Sequence, residues 1–379
     1  MSIVQKVLII GGGIGGLTAA IALKRKGIDA EVIEQNPAWS VYGVGIIQPS
    51  NLLRALRSLD LGDACLEQGK GFLGWNFCDV QGNVLAQVPS ENVAGPGYPP
   101  VNGISRPALH KILTDATLAQ GTHVRLGVTA TAFEERKEGV RVSFSDGTQN
   151  TYDLVIGADG AYSKTRAQLF GDECRPHYTG QAVWRYNFAR PRDMHWGSLH
   201  YGKKSKAGLV PLSETTMYLF LVTAEAGNPR MLADQLHVLL RERLAEYGGI
   251  VGGLRDQITD PAAVVYRPME VLMMPAPWYR GRVVLIGDAA HSGTPHLAEG
   301  AAMAIEDSVV LAELLAQDPD LKSALNRFVL RRLPRTQLVY ETGVRLGEWE
   351  QAEWAGTPDP AADHGALFSR AYAQLMGPI

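Results

Sequence analysis

Net charge of one sign, paired cysteines, internal repeats and unbroken apolar runs are all missing from this chain. Its 36 Lys and Arg nearly balance 39 Asp and Glu, leaving a net charge of −3, and no long basic run occurs. A nucleic-acid partner therefore has no electrostatic footprint here. The three cysteines, Cys65, Cys78 and Cys174, are odd in number, far apart and without a C-x-x-C pair. That excludes a dithiol relay and a common zinc spacing, and it reads as reduced thiols in a cytoplasmic protein. His291 and His296 stand close together with no Cys or matching carboxylate pattern beside them, so they read as loop residues and no metal is expected. The uncharged stretch Val7 to Leu23 is marginal in length for a membrane span and holds five glycines, so no span is expected either.

What the chain does have is size and three glycine-punctuated motifs. At 379 residues and 46% hydrophobic content it exceeds one typical core, so about two domains are expected, interleaved rather than consecutive. Lys6 to Ile10 is an apolar run rich in β-branched residues, closed by the glycine loop Gly11 to Gly16. Leu17 to Lys26 follows with a helical pattern that Gly27 can end, and Ala30 to Ile33 gives a second strand with Glu34 at its end, 18 residues beyond Gly16. In such a unit Gly11 permits the tight turn and Gly13 lets the backbone approach a pyrophosphate. Gly16 lets helix and strand pack closely, and the helix N-terminus offers free N–H groups to phosphates. An acid at position 34 suits an unphosphorylated ribose, which argues against NADP at this loop. Two later apolar strands end in Asp159-Gly160 and Gly287-Asp288. A chain that returns twice to one site in this way points to a redox enzyme built around FAD.

Between the motifs the polar segment Ser90 to Asn102 reads as a loop and a candidate lid, and Arg106 to Leu118 as a helix. Val124 to Phe133 and Val140 to Ser145 flank a polar turn at Arg136 to Gly139 as a hairpin would. From Gln181 to Val271 the pattern changes to strands, interrupted by an amphipathic helix at Met231 to Tyr247. Gly300 to Leu315 carries a helical period, and helix continues around Leu321 to Leu346, where Pro334 is expected to kink or split it. The expected fold is α/β: a Rossmann-type FAD-binding domain interleaved with a mixed-sheet substrate domain, plus C-terminal helices. Residues 1–75, 100–180 and 272–345 are assigned to the first, residues 76–99 and 181–271 to the second, and 346–379 to a C-terminal tail.

The glycine loop with Glu34, Arg106 in Ser105 to Leu109, Asp153 to Arg166, and Gly281 to Asp307 together resemble the FAD-dependent aromatic hydroxylases. These are single-component flavoprotein monooxygenases like para-hydroxybenzoate hydroxylase, and the salicylate, hydroxynicotinate and urate hydroxylases are the nearest in flavour. The resemblance implies that Gly11, Gly13, Ile14, Gly15, Gly16, Glu34, Gln35, Gly45, Arg106, Val128, Asp159, Gly160, Gly287, Asp288, Pro295, Gly300 and Ala301 bind the flavin. Asp159, Gly160 and Arg166 would lie where flavin and nicotinamide meet, and Asp288 would accept hydrogen bonds from the ribityl chain. The positive end of the helix opened by Gly300 would face the flavin pyrimidine edge and favour the anionic reduced ring. NAD(P)H would reduce FAD, and a flavin C4a-hydroperoxide formed with molecular oxygen would hydroxylate a small electron-rich aromatic or N-heteroaromatic ring.

For the substrate pocket the resemblance implies Arg185, Tyr201, Lys206 and Tyr218 as catalytic residues. Lys206, Pro211 and Tyr218 match the spacing of flavin-dependent urate hydroxylases, with Lys where they carry Arg. The chain also departs from common members at Glu299, where many have Gln, and at Ile47, where hydroxynicotinate-type enzymes place a histidine. There is no Trp-x-Trp-x-Ile-Pro signature of a halogenase. A flavin oxidase or dehydrogenase without oxygen insertion, or a non-catalytic binding protein on the same fold, remains open at this point. A monomer or homodimer is expected.

Overall fold

The computed structural model describes residues 4–39 and 43–379. Strand Lys6–Ile10, helix Ile14–Arg25 and strand Asp29–Glu34 form the expected unit, with the strands parallel. Strands Leu154–Gly157 and Val283–Leu285 join them, and side chains from Val7 to Ile10, Leu154 to Ile156 and Val283 to Ile286 are buried. Near-continuous apolar runs are what a parallel sheet covered on both faces requires. Among the described residues this is a six-stranded sheet, beside an eight-stranded sheet and two three-stranded ones.

The eight-stranded sheet is mixed. Its strands His177–Ala189, Thr216–Ala224, Ser205–Pro211 and Gly197–Tyr201 are successive antiparallel neighbours in that order. Gly74–Cys78 then pairs in parallel with Gly197–Tyr201. Helix Gly300–Gln317 packs against helix Ile14–Arg25, close enough for Ser308 Oγ to donate to Gly15 O at 3.0 Å. No described helix is long and apolar enough to cross a membrane.

Three expectations need correction. Residues 123–126 are not an arm of the hairpin; His123–Leu126 extends the parallel cofactor sheet, and Gly127, at φ +75°, turns the chain out of it. The hairpin is Ala130–Arg136 with Gly139–Phe144. Pro334 does not split the C-terminal helix, which runs unbroken from Leu321 to Trp354. The carbonyl that loses its donor there belongs to Leu330, a residue 73% exposed, so water can replace the missing N–H. Finally, 346–379 is more than a tail. It completes that long helix and adds helix His364–Leu375, capped by Asp363 Oδ1 accepting from Ala366 N.

One buried ionic network ties these parts together. Arg332, with 0% of its side chain exposed, donates to Asp307 Oδ1 at 2.8 Å and to Glu306 Oε2 at 2.7 Å. Arg335 meets Glu306 from the same helix, at 2.8 Å. Asp307 Oδ2 accepts from Gly287 N at 2.9 Å and lies 2.7 Å from His291 Nε2. Burial opposes ionisation of Asp307, yet His291 and Arg332 hold its carboxyl down to about 2. Removing one partner from such a set leaves an uncompensated buried charge. Arg332→Ala is expected to cost about 3–5 kcal/mol, read as a fall in the urea midpoint at unchanged slope; a loss under about 1 kcal/mol would show the network to be dispensable.

Candidate active site

The glycine loop is shaped by close approach. A Cβ on Gly16 would lie 1.9 Å from Gly11 O, and one on Gly11 would lie 2.4 Å from Ala158 O at a backbone φ of +111°. A Cβ on Gly13 would meet nothing within 4 Å. Gly11 and Gly16 thus let the loop exist, whereas Gly13 faces open space. Helix Ile14–Arg25 has no side-chain cap and no acid in its first turn, and helix Gly300–Gln317 has neither as well. Both leave N-terminal N–H groups unspent.

These two helix ends open into one cavity of about 1040 Å³. Of the expected cofactor residues, Gly13, Ile14, Gly15, Glu34, Gly45, Arg106, Gly160, Gly287, Asp288, Pro295, Gly300 and Ala301 line it. Gln35 does not; it points to solvent, and Asn36 takes the lining position while donating from its backbone and side-chain amides to Glu34 Oε1, both at 2.9 Å. Val128 is buried in the core, its N–H bonded to Glu34 O at 3.0 Å. Asp159 also stays off the wall: it accepts from Ser163 Oγ at 2.5 Å and from Thr165 N and Oγ1 at 3.0 Å, holding the turn that presents Gly160. Asp288 has surface open to the cavity while lying deep in the protein, so burial raises its carboxyl, against the pull of His291 and Arg106.

The opposite wall is one face of the eight-stranded sheet. Side chains two apart on a strand share a face, and directly paired residues lie side by side. Tyr201, Lys206, Val222, Val183 and Arg267 form one such row across five strands. The next row holds Leu199, Gly208, Phe220 and Arg185, and the next Val210 and Tyr218. A Cβ on Gly208 would sit 2.2 Å from Phe220 Cζ, so the missing side chain is what lets that ring lie across the sheet. All four expected catalytic residues, Arg185, Tyr201, Lys206 and Tyr218, line the cavity. Burial brings the Arg185 guanidinium down to about 10, with Tyr218 opposing the shift and Arg106 and Arg267 adding to it. It remains a cation at neutral pH. Burial raises the Tyr218 hydroxyl, and Arg185 and Arg106 pull it back.

Sequence reasoning missed the third wall. Glu350 of the long helix pairs with Lys206, lies 3.0 Å from His296 Nε2 and accepts from Gln181 Nε2 at 3.0 Å. His296, read as a loop residue, has a side chain 1% exposed. His364, Phe368 and Tyr372 of the terminal helix also line the cavity. A signal existed in Gly343 and Gly347, one turn apart on the helix. A Cβ there would lie 2.4 Å from Thr294 Oγ1 and 2.6 Å from Gln181 Oε1, so this helix face is pressed against the site. Among the described residues no group of three or more His, Cys, Asp or Glu side chains is placed to hold a metal.

Residues 5–340 match the family model of an FAD binding domain. The chain belongs to that family of FAD-dependent monooxygenases. It is 32% identical to the aurachin C monooxygenase/isomerase of Stigmatella aurantiaca over 355 residues, 91% of this chain and 90% of the relative. The 6-hydroxynicotinate 3-monooxygenase of Pseudomonas fluorescens is 32% identical over 349 residues, 84% of each. The structure of Klebsiella pneumoniae HpxO complexed with FAD and uric acid superposes with a TM-score of 0.83 at 26% identity, covering 98% of this chain and 92% of that one. FAD is the cofactor, and two uncapped helix N-termini, a carboxylate at the end of the second strand and an open Gly13 are a donor and acceptor set that suits it.

Two outcomes follow from the cofactor wall. Gly13→Ala is expected to fold with an unchanged denaturation midpoint but to lose FAD affinity by about tenfold or more, measured by flavin absorbance after dialysis. Retained FAD would remove the close approach at Gly13. Glu299, fully buried with Oε2 accepting from Asn51 Nδ2 at 2.8 Å, is pushed up to about 8 by burial and, secondarily, by Glu306. Protonated, it has the shape of a Gln side chain and, like it, a hydrogen to donate. The unfolded chain loses this proton near 4.5 and the folded chain keeps it to about 8, so stability falls as pH rises between those values, by about 1 kcal/mol per unit. Glu299→Gln should flatten that fall in urea denaturation of the FAD-loaded protein at pH 5, 6.5 and 8. A parallel slope in the variant would show that Glu299 ionises normally.

Proposed function

We propose that the protein uses NAD(P)H and molecular oxygen to hydroxylate a small electron-rich ring, with an N-heteroaromatic as the preferred class. The carrying observation is the single cavity that joins the cofactor wall to the sheet face bearing Arg185, Tyr218 and Lys206. One relative is named for 6-hydroxynicotinate and one structural neighbour holds uric acid, which supports a nitrogen ring here too. When bound, FAD would supply the redox chemistry, by which two electrons from NAD(P)H and O2 give one oxygen atom to the ring and the other to water.

The side chains would do the rest. Gly13, Gly15 and the first helix end hold the pyrophosphate, Glu34 the ribose, and Asp288 the ribityl chain; Gly300 and Ala301 present the second helix end to the pyrimidine edge. Arg185 and Arg106 flank Tyr218 and stabilise negative charge on a ring oxygen of the substrate, which raises the electron density the reaction needs. Apolar neighbours Val183, Phe220 and Val222 keep water from the reacting edge. Gly160 lies on the cavity wall, where the nicotinamide would approach. A cytoplasmic location, as monomer or homodimer, belongs to the same reading, supported by three free cysteines.

Purified yellow protein should oxidise NAD(P)H faster when offered a hydroxypyridine, purine or phenol from a screen, with one oxygenated product formed per nicotinamide consumed. Arg185→Met should lower kcat by about tenfold to a hundredfold. Nicotinamide oxidation that yields only hydrogen peroxide with every ring tested would replace the monooxygenase by an oxidase.

A further inference from the structure

Lys206 and Glu350 make an unusual fixture for a cavity wall. Their side chains are only 13% and 8% exposed, one from the strand Ser205–Pro211 and the other from a helix position beyond residue 340, where the family match ends. A buried ion pair is a poor device for docking a helix on a sheet, because apolar side chains of similar size do so as well or better. Its remaining hydrogen-bonding capacity is another matter. The Lys206 ammonium has three N–H donors and gives one to Glu350 Oε1. The Glu350 carboxylate has about four acceptor sites; Lys206, His296 and Gln181 take three, two of them on Oε2. Donors of Lys206 and an acceptor site on Oε1 thus stand side by side at the cavity. Burial favours the neutral acid at Glu350, but Lys206 and His296 hold its carboxyl well below the usual range, so it accepts and does not donate.

We infer that Lys206 and Glu350 form a recognition pair for a cyclic amide edge, in which a ring carbonyl accepts from the ammonium and the adjacent ring N–H donates to the carboxylate. This rests on the proposed reading of the cavity as the substrate site and names the substrate class within it: lactam-bearing N-heteroaromatics, such as 2-pyridones, 2-quinolones and oxidised purines. A ring lacking the N–H would desolvate Glu350 without replacing its lost partner, which is the kind of mismatch a polar site rejects strongly. Tyr201, paired with Lys206 across the strands and stacked on Phe77 with centroids 6.3 Å apart, adds an aromatic wall beside the pair.

The test is equilibrium binding to the FAD-loaded protein, read from perturbation of the flavin spectrum, so that turnover is not required. The probes are 2-quinolone, N-methyl-2-quinolone and coumarin, which replaces the ring N–H with oxygen and keeps the carbonyl. Wild-type protein should bind 2-quinolone at least about tenfold more tightly than either analogue. In Glu350→Leu, which has no acceptor, that ratio should collapse to within about twofold, while Lys206→Met should weaken 2-quinolone and coumarin alike and keep the ratio. Equal binding of all three probes by wild type, binding of none, or an unchanged ratio in Glu350→Leu would each overturn the inference. A merely structural ion pair would lower the denaturation midpoint in both variants and leave the ratio alone. The ligand swap in wild type needs no variant to fold. Selective binding of 2-quinolone without any oxygenated product would keep the recognition pair and sink the monooxygenase reading; oxygenation of phenols without selectivity would do the reverse.

Discussion

Asp307 is the point on which the site depends. Its carboxylate receives the amide of Gly287, the imidazole of His291 and the guanidinium of Arg332, the first two from one loop and the third from the long C-terminal helix. Gly287 carries the backbone into the cofactor wall at φ +58°, His291 leads the loop toward Pro295 and His296, and Arg332 belongs to the helix that brings Glu350. One buried anion therefore fixes the relative positions of the cofactor wall and the substrate wall. The arrangement is costly to desolvate and is offset by two arginines, Arg332 and Arg335, shared with Glu306. Geometry, more than net stability, is what such a network supplies.

The sheet wall follows a different logic. Pairing register alone brings Arg185, Lys206, Tyr218 and Arg267 onto one face, although they come from four strands. A one-residue slip of any strand would turn its side chain away from the cavity. Gly208 lets Phe220 lie flat in this face, and Gly45 does the same for Tyr218, since a Cβ there would sit 2.9 Å from its Cδ1. Small residues, Gly208 on the neighbouring strand and Gly45 in a separate three-stranded sheet, thus set the depth of the pocket as firmly as the large ones that fill it.

Much of the cofactor wall was legible in sequence because its physics is local. A tight turn needs Gly11, close packing needs Gly16, an uncapped helix end needs the absence of acids, and each requirement leaves its mark within a few residues. Gln35 and Asn36 are both polar and adjacent, and only the turn after Glu34 decides which one faces the cavity. Lys206 and Glu350 are 144 residues apart, and His296 and Glu350 54 apart. On a helix with many charged residues, Glu350 looks like any solvated glutamate. Pro334 is the opposite case: a strong local rule is relieved where the carbonyl without a donor belongs to Leu330, on the solvent side of the helix.

The distribution of charge across the cavity gives the site a direction. Arg106 and Arg185 lie where Tyr218 faces the cofactor wall, and their positive field is only partly answered by Asp288. Lys206 is answered directly by Glu350, so its end of the sheet carries no comparable excess. In the proposed reading, negative charge developing on a bound ring would be drawn toward the arginines and the cofactor, while a neutral polar edge would be matched at the opposite end. In the proposed reading a ring held by both ends would have one orientation, and the carbon presented to the flavin would be set by the distance between the two rather than by any single contact.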